Sequence, residues 1–147
     1  MAAGTQYEAQ KKIAVIWFIF APIIIVLFAL MAIPRSGKSS GEPFNWIVNF
    51  LSPALTLITS AFVYAINNRE KLQATVIDSF YIKLVKGASV FYLLAMLVAL
   101  GTTPYSEARD VSFPDHLKLF SPYLTLIQTS LLALLGIFFV KQQSKGE

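Results

Sequence analysis

The chain has 147 residues, of which 56% are hydrophobic and 14% are charged, with a net charge of +4 and no cysteine. About a quarter of the residues of a soluble domain are usually charged, so this composition is atypical of one. Without cysteine the chain forms no disulfide, thiolate metal site or thiol nucleophile. The length fits one domain, which we assign to residues 1–147.

Charged residues are confined to short intervals between four long uncharged stretches of 22, 26, 20 and 22 residues. A helix needs about 20 mainly apolar residues to cross the hydrocarbon of a bilayer. The sequence therefore predicts an all-α membrane protein, a bundle of four transmembrane helices. The first stretch is longer than the apolar core of a signal peptide, so we expect it to be retained. The predicted spans are about 13–33, 46–67, 84–104 and 119–140.

The segments between the spans carry turn and interface signals. Pro34 and Pro104 follow the first and third spans, where proline is typical of a helix end. Between the second and third spans, the polar and apolar residues of 68–82 alternate near helical spacing. This pattern predicts a short amphipathic helix at the membrane interface, or an extension of the third span. Trp17 and Trp46 lie near predicted boundaries and are interpreted as interface anchors.

Lys and Arg are distributed unequally between the two sides of the predicted bundle, with eight on the side of the termini and four on the other. The positive-inside rule then predicts a multi-pass protein of the cell inner (plasma) membrane with both termini cytoplasmic. The eight are Lys11, Lys12, Arg69, Lys71, Lys83, Lys86, Lys141 and Lys145. The segment between the second and third spans, together with the start of the third span, is predicted to dock a cytosolic protein partner. The docking residues are Arg69, Lys71, Asp78, Lys83 and Lys86. The cations are spread out, which argues against direct binding of nucleic acid.

One heptapeptide occurs twice, as Ser-Pro-Ala-Leu-Thr-Leu-Ile at 52–58 and Ser-Pro-Tyr-Leu-Thr-Leu-Ile at 121–127. Each copy lies in the second helix of a predicted hairpin. We interpret the chain as two parallel helical-hairpin repeats, about 13–67 and 84–140, related by a pseudo-two-fold axis along the membrane normal. Pro53 and Pro122 are expected in the first turns of their helices, where they would bend the outer half of the bundle.

Polar residues recur at spacings of three and four along the second and fourth spans, which places them on one face of each helix. An amide or hydroxyl facing lipid loses hydrogen bonds, so we expect both faces to point inward or towards a partner subunit. They would then act as interhelical glue or line a polar path. The residues of this predicted seam are Asn49, Ser52, Pro53, Thr56, Thr59, Ser121, Pro122, Thr125 and Gln128.

Little in the sequence indicates catalysis. His116 is the single histidine, and we expect it to lie exposed in the outer loop beside Asp115. No acidic residue lies within a predicted span, so a proton relay is unsupported. No catalytic triad, phosphate-binding loop or metal-ligand cluster is present. We predict no enzyme activity, no cofactor and no metal.

Two functions remain open. The first is a non-enzymatic membrane subunit that forms homo-oligomers or joins other subunits, as a sensor or scaffold that couples the membrane to a partner. The alternative is a small channel or neutral-solute permeation unit, lined by the Ser, Thr and Gln side chains of the second and fourth helices.

The layout of the chain resembles that of small bacterial phage-defence membrane proteins. The shared features are four spans in about 150 residues, cytoplasmic termini and the charged connector that begins Asn-Arg-Glu-Lys at residue 68. The membrane components of Rex-type and Kiwa-type systems have this layout. The resemblance implies an inner-membrane oligomer that responds to infection, with a cytosolic partner in the Kiwa case, and it implies no particular residue roles.

Overall fold

Four long helices make up most of the chain in the computed structural model, which describes residues 4–35 and 41–140. Each of the four is long and apolar enough to cross a membrane, which confirms the predicted number of spans. Lys38, Lys141 and Lys145, which enter the charge count, lie outside the described residues. The elements are β1 (Gly4–Thr5), α1 (Gln6–Arg35), α2 (Gly41–Asn67), α3 (Arg69–Ala74), β2 (Val76–Ile77), α4 (Ser79–Gly101), α5 (Thr103–Glu107) and α6 (Phe113–Val140).

The long helices extend beyond the predicted spans at their polar ends. α1 begins at Gln6 rather than at residue 13, and α6 begins at Phe113 rather than at residue 119. About 20 residues cross the hydrocarbon, but main-chain hydrogen bonds continue a helix into the headgroup region, where charged side chains stay solvated. Pro53 and Pro122 therefore lie well inside α2 and α6, and their predicted place in the first turns is wrong.

The connector between α2 and α4 contains a short helix and a strand, so neither predicted form describes it fully. α3 covers only Arg69–Ala74, and β2 then pairs antiparallel with β1. The main-chain N–H of Gln6 extends this ribbon by donating to the carbonyl of Thr75 at 2.9 Å. Because α1 and α4 follow directly on β1 and β2, both helices begin at the same end of the bundle, which we call the ribbon end.

The long helices pack as a ring in the order α1, α2, α6, α4. Helices that correspond in the two hairpins are therefore neighbours, with α1 beside α4 and α2 beside α6. A two-fold axis along the bundle would place corresponding helices diagonally opposite each other, so the predicted pseudo-two-fold arrangement is wrong. The heptapeptide match contains no information on which sides of the two hairpins meet.

Aromatic residues fill the centre of the ring. The ring of Trp17 stacks on Tyr92 at 6.0 Å between centroids, and Phe28 stacks on Trp46 at 6.3 Å. Trp17 and Trp46 are only 0% and 7% exposed, so their predicted role as interface anchors is wrong. Large aromatic side chains bury 150–250 Å² each, and that area here fills the space between helices.

Candidate functional site

The face of α2 that points away from the bundle carries a row of polar residues beside exposed apolar ones such as Val48 and Val63. The buried face of α2 carries residues such as Phe50, Ala54 and Ile58. With 3.6 residues per turn, the opposite side of the helix carries a row of exposed polar residues. This row, which we call the polar face of α2, consists of Asn45, Asn49, Ser52, Thr56, Thr59 and Ser60.

The side chains of this polar face make no hydrogen bond to any residue that the structure describes. Exposed hydroxyl groups on α6 behave differently. Thr125, Thr129 and Ser130 each donate to the carbonyl four residues earlier, at 2.8, 2.8 and 3.1 Å. A hydroxyl bonded to its own helix can face lipid, whereas an unpaired amide or hydroxyl there loses hydrogen bonds. Against lipid, the polar face of α2 would leave its amides and hydroxyls without hydrogen-bond partners among the described residues.

The outward face of α1 has the opposite character. It is built of large apolar side chains between 46% and 64% exposed, which is the composition expected against lipid. These side chains include Val15, Ile19, Ile23, Val26 and Leu30. The outward face of α1 is therefore typical of a helix in contact with lipid, whereas the outward face of α2 is not.

A buried polar junction forms around Pro53. Proline has no N–H, so the carbonyl of Asn49, four residues earlier, loses its helical hydrogen bond. The Nε2 atom of Gln128 on α6 donates to the carbonyl oxygens of Asn49 at 3.1 Å and Phe50 at 3.2 Å. The hydroxyl of Tyr92 on α4 donates to Phe50 at 2.6 Å. Three helices are thus joined at carbonyl groups beside the proline.

The junction borders on polar atoms that have no partner. Tyr92 stacks on Trp17 of α1, whose Nε1 atom is buried without a hydrogen bond, and the same holds for the hydroxyl of Ser89, one turn before Tyr92. An unpaired buried donor costs about 1–3 kcal/mol, and buried water commonly satisfies such groups. The interior of the bundle is consequently not a purely apolar core.

A second contact joins α2 to α6 near Pro122. The Nε1 atom of Trp46 lies 3.2 Å from both the carbonyl oxygen of Leu117 and the hydroxyl oxygen of Ser121, and donates to them. Ser121 itself donates to Leu117 at 2.9 Å. Among the predicted seam residues, the side chains of Gln128 and Ser121 and the main chain of Asn49 join helices. The others have exposed side chains: Ser52, Pro53, Thr56, Thr59, Pro122 and Thr125.

His116 is buried at the end opposite the ribbon, and the prediction of an exposed loop residue is wrong. Its Nε2 atom donates to the carbonyl of Ala99 at 2.7 Å, and its Nδ1 atom shares a hydrogen bond with the hydroxyl of Ser106 at 2.6 Å. The hydroxyl of Ser112 accepts the N–H of Asp115 and donates to its carboxylate, which starts α6 before His116, so the histidine belongs to the helix.

The predicted docking residues lie exposed around the ribbon end: Arg69, Lys71, Asp78, Lys83 and Lys86. The guanidinium carbon of Arg69 lies 5.3 Å from the centre of the Tyr7 ring, so α3 is held against α1. The carboxylate of Asp78 accepts the N–H of Phe80 at 2.8 Å and caps α4. Asp78 thus has a structural contact, while the cations present their charge to solvent or headgroups.

An apolar groove of about 470 Å³ lies between α1 and α2, next to the polar face. Phe28 and Phe44 pack edge to face in its wall at 5.7 Å between centroids. Ser52 and Thr56 also line it, so the groove and the polar face share an edge.

Comparison of the chain with protein-family models, curated proteins and solved structures gives no match.

Proposed function

We propose that the chain is a non-enzymatic integral membrane subunit that assembles into homo-oligomers through the polar face of α2. The observation that carries the proposal is the outward position of this face on a helix long and apolar enough to span a membrane. Hydrogen bonds between helices in membranes contribute about 0.6–2 kcal/mol each. Hydroxyl and amide groups both donate and accept, so the same face on a second copy offers matching partners.

The spacing along α2 favours close contact between copies. Ser52, Thr56 and Ser60 follow each other at intervals of four residues. Small residues at this spacing let two helix backbones approach closely in a membrane. The adjoining groove adds apolar surface that side chains of a second copy would fill. A joined pair of α2 helices thereby pairs the polar groups and covers the groove at the same time.

The ribbon end is the end that we propose to be cytoplasmic. All cations exposed at this end, including Arg69, Lys71, Lys83 and Lys86, then obey the positive-inside rule. They form the surface through which the oligomer would contact a cytosolic partner and so connect it to the membrane. The resemblance in layout to phage-defence membrane proteins makes infection the first stimulus to test, by plating phage on cells with and without the protein.

We also propose that the two hairpins arose by duplication of one unit. Support comes from the repeated heptapeptide and from Pro53 and Pro122, which lie inside corresponding helices. The copies have since diverged in role. Gln128 supplies a hydrogen bond across helices, while its counterpart at the repeat distance, Thr59, is exposed on the polar face.

A second candidate function is permeation along a path between copies. It is favoured by the length of the polar face, which extends from Asn45 to Ser60, about 22 Å along the helix and most of the ~30 Å hydrocarbon. In a ring of copies with separated α2 helices, these hydroxyls and amides would contact water. The two functions use the same surface. In the first, the polar face contacts a second copy, and in the second it contacts water.

Measurement of the mass of the protein in mild detergent tests the assembly. We expect a dimer or larger oligomer, and Thr56→Leu combined with Ser60→Leu shifts it towards monomer. Thr129→Leu combined with Ser130→Leu is the matched control, because those hydroxyls are bonded to their own helix. A monodisperse monomer of the parent protein would sink the proposal, as would equal effects of the two pairs.

A further inference from the structure

A shallow crevice between α1 and α4 lies on the side of the ring opposite the α2–α6 pair. Its volume is about 40 Å³, so it holds only a short piece of a hydrocarbon chain. Every lining residue is apolar: Ile16, Phe20, Val90, Leu93 and Leu94. Phe20, Val90 and Leu94 are between 36% and 51% exposed on the outer surface of the bundle, so the crevice opens towards lipid.

Two lysines lie at the ribbon end of this crevice. Lys12 precedes Ile16 by four residues on α1, and Lys86 precedes Val90 by four residues on α4. Since both helices begin at the ribbon end, each lysine lies about 6 Å from the crevice in the same direction. Side chains on a helix tilt towards its N-terminus, so both amines extend away from the hydrocarbon.

Neither amine is neutralised by a residue that the structure describes. Lys12 and Lys86 are exposed, and neither has an acidic partner within 4.0 Å among the residues described. Lys11 lies on another side of α1, because Phe18, seven residues later on the same face, packs on Phe62 of α2. Lys12 and Lys86 thus flank the mouth of an apolar crevice, and Lys11, which adjoins Lys12 in sequence, does not.

We propose that this crevice is a binding site for one anionic phospholipid. An acyl chain follows the apolar crevice, and the phosphate lies between the amines of Lys12 and Lys86. Charge complementarity selects the headgroup, because each lysine near a membrane surface contributes about 1 kcal/mol towards anionic lipid. The site is independent of the proposed assembly, since α1 and α4 form it without α2.

Lipid retention in nanodiscs tests the site. We expect the protein to retain phosphatidylglycerol over phosphatidylcholine in native mass spectrometry. Lys12→Gln combined with Lys86→Gln lowers the apparent affinity for phosphatidylglycerol by about fivefold for each lysine. Lys11→Gln combined with Lys71→Gln removes the same charge at the same end and leaves the preference intact. Raising the salt concentration weakens the binding of the parent protein, because exposed charges are screened.

Two further arms separate the sources of the signal. Val90→Trp fills the crevice without changing charge, and we expect it to reduce retention of phosphatidylglycerol in a variant that keeps the parent helicity. Inorganic phosphate alone is expected not to compete with the lipid at millimolar concentration. Equal loss in both lysine pairs, no preference in the parent protein, unchanged retention after Val90→Trp, or full competition by free phosphate would each overturn the proposal.

Discussion

The side-chain nitrogen of Gln128 lies 3.1 Å from the carbonyl oxygen of Asn49, where it supplies the hydrogen bond that Pro53 cannot donate. A proline inside α2 thereby makes that helix dependent on α6, while Tyr92 of α4 adds a hydrogen bond to the neighbouring carbonyl of Phe50. In hydrocarbon no water is present to bond the freed carbonyl of Asn49, so its partner must be a protein group. Pro53 is consequently part of what holds the bundle together.

Replacement of Gln128 by Met tests this dependence, since Met keeps the length of the side chain and removes its donor. We expect the variant to lose about 1–3 kcal/mol of unfolding free energy, because a buried carbonyl loses its partner. In a Pro53→Ala background the loss is smaller, since the alanine N–H bonds to Asn49. Denaturation in detergent micelles gives the unfolding free energies of the parent protein, the two single variants and the double variant. Strictly additive effects of the two substitutions would contradict a hydrogen bond from Gln128 that compensates for Pro53.

The hydroxyl of Tyr92 provides a second test. Tyr92→Phe keeps the ring stacked on Trp17 and removes the 2.6 Å hydrogen bond to Phe50. We expect a loss of about 0.5–1.5 kcal/mol in unfolding free energy, as for a typical net hydrogen bond. Tyr123→Phe is the control, because Tyr123 is 69% exposed and makes no hydrogen bond in the described chain. Equal stability of the two variants would show that the Tyr92 contact contributes nothing.

His116 is expected to hold the end of the bundle opposite the ribbon. His116→Phe preserves an aromatic ring but removes the contacts to Ala99 and Ser106, so we expect a loss of about 1–3 kcal/mol of stability. The exposed change Asp110→Asn in the loop before α6 should stay within about 0.5 kcal/mol of the parent. Thermal unfolding in detergent compares them. A His116→Phe variant as stable as Asp110→Asn would show that the hydrogen bonds of His116 do not stabilise this end of the bundle.

The number of spans followed from the sequence because bilayer thickness imposes a minimum length that only four uncharged stretches meet. The ends of the helices could not be predicted in the same way, because charged residues mark where the hydrocarbon ends but can still be part of a helix. Ser112, an N-cap residue type followed three residues later by Asp115, was the available signal for the start of α6, and it would have placed His116 in the helix. The order of helices around the ring depends on packing surfaces that hydropathy does not encode.

The polar residues of α2 were recognisable by their spacing, but their direction was not. Spacing shows that Ser52 and Thr56 share a face, whereas only the burial of Ala54 and Ile58 shows that this face points outward. Tyr92 was overlooked although a signal existed. A hydroxyl near the middle of an apolar span needs a partner, and position alone distinguishes it from an interface tyrosine.

Single cysteines distinguish helix contact from a water path, because the chain has no native cysteine. We expect Thr56→Cys in membranes to be protected from a membrane-impermeant thiol reagent, since the copies pack face to face at this depth. Val76→Cys is the positive control, because Val76 is exposed on the strand at the ribbon end and should be fully labelled once the membrane is permeabilised. Labelling of Thr56→Cys as fast as Val76→Cys would instead favour the path between copies.

Oxidative cross-linking in native membranes tests the central claim most directly. A disulfide forms only where two Cα atoms approach within about 7 Å, so it reports direct contact between copies. We predict that at least one of the single variants Ser52→Cys, Thr56→Cys and Ser60→Cys forms a covalent dimer, while Leu126→Cys, 71% exposed on α6, stays monomeric. Monomer from all three α2 variants, or equally efficient cross-linking of Leu126→Cys, would contradict assembly through the polar face.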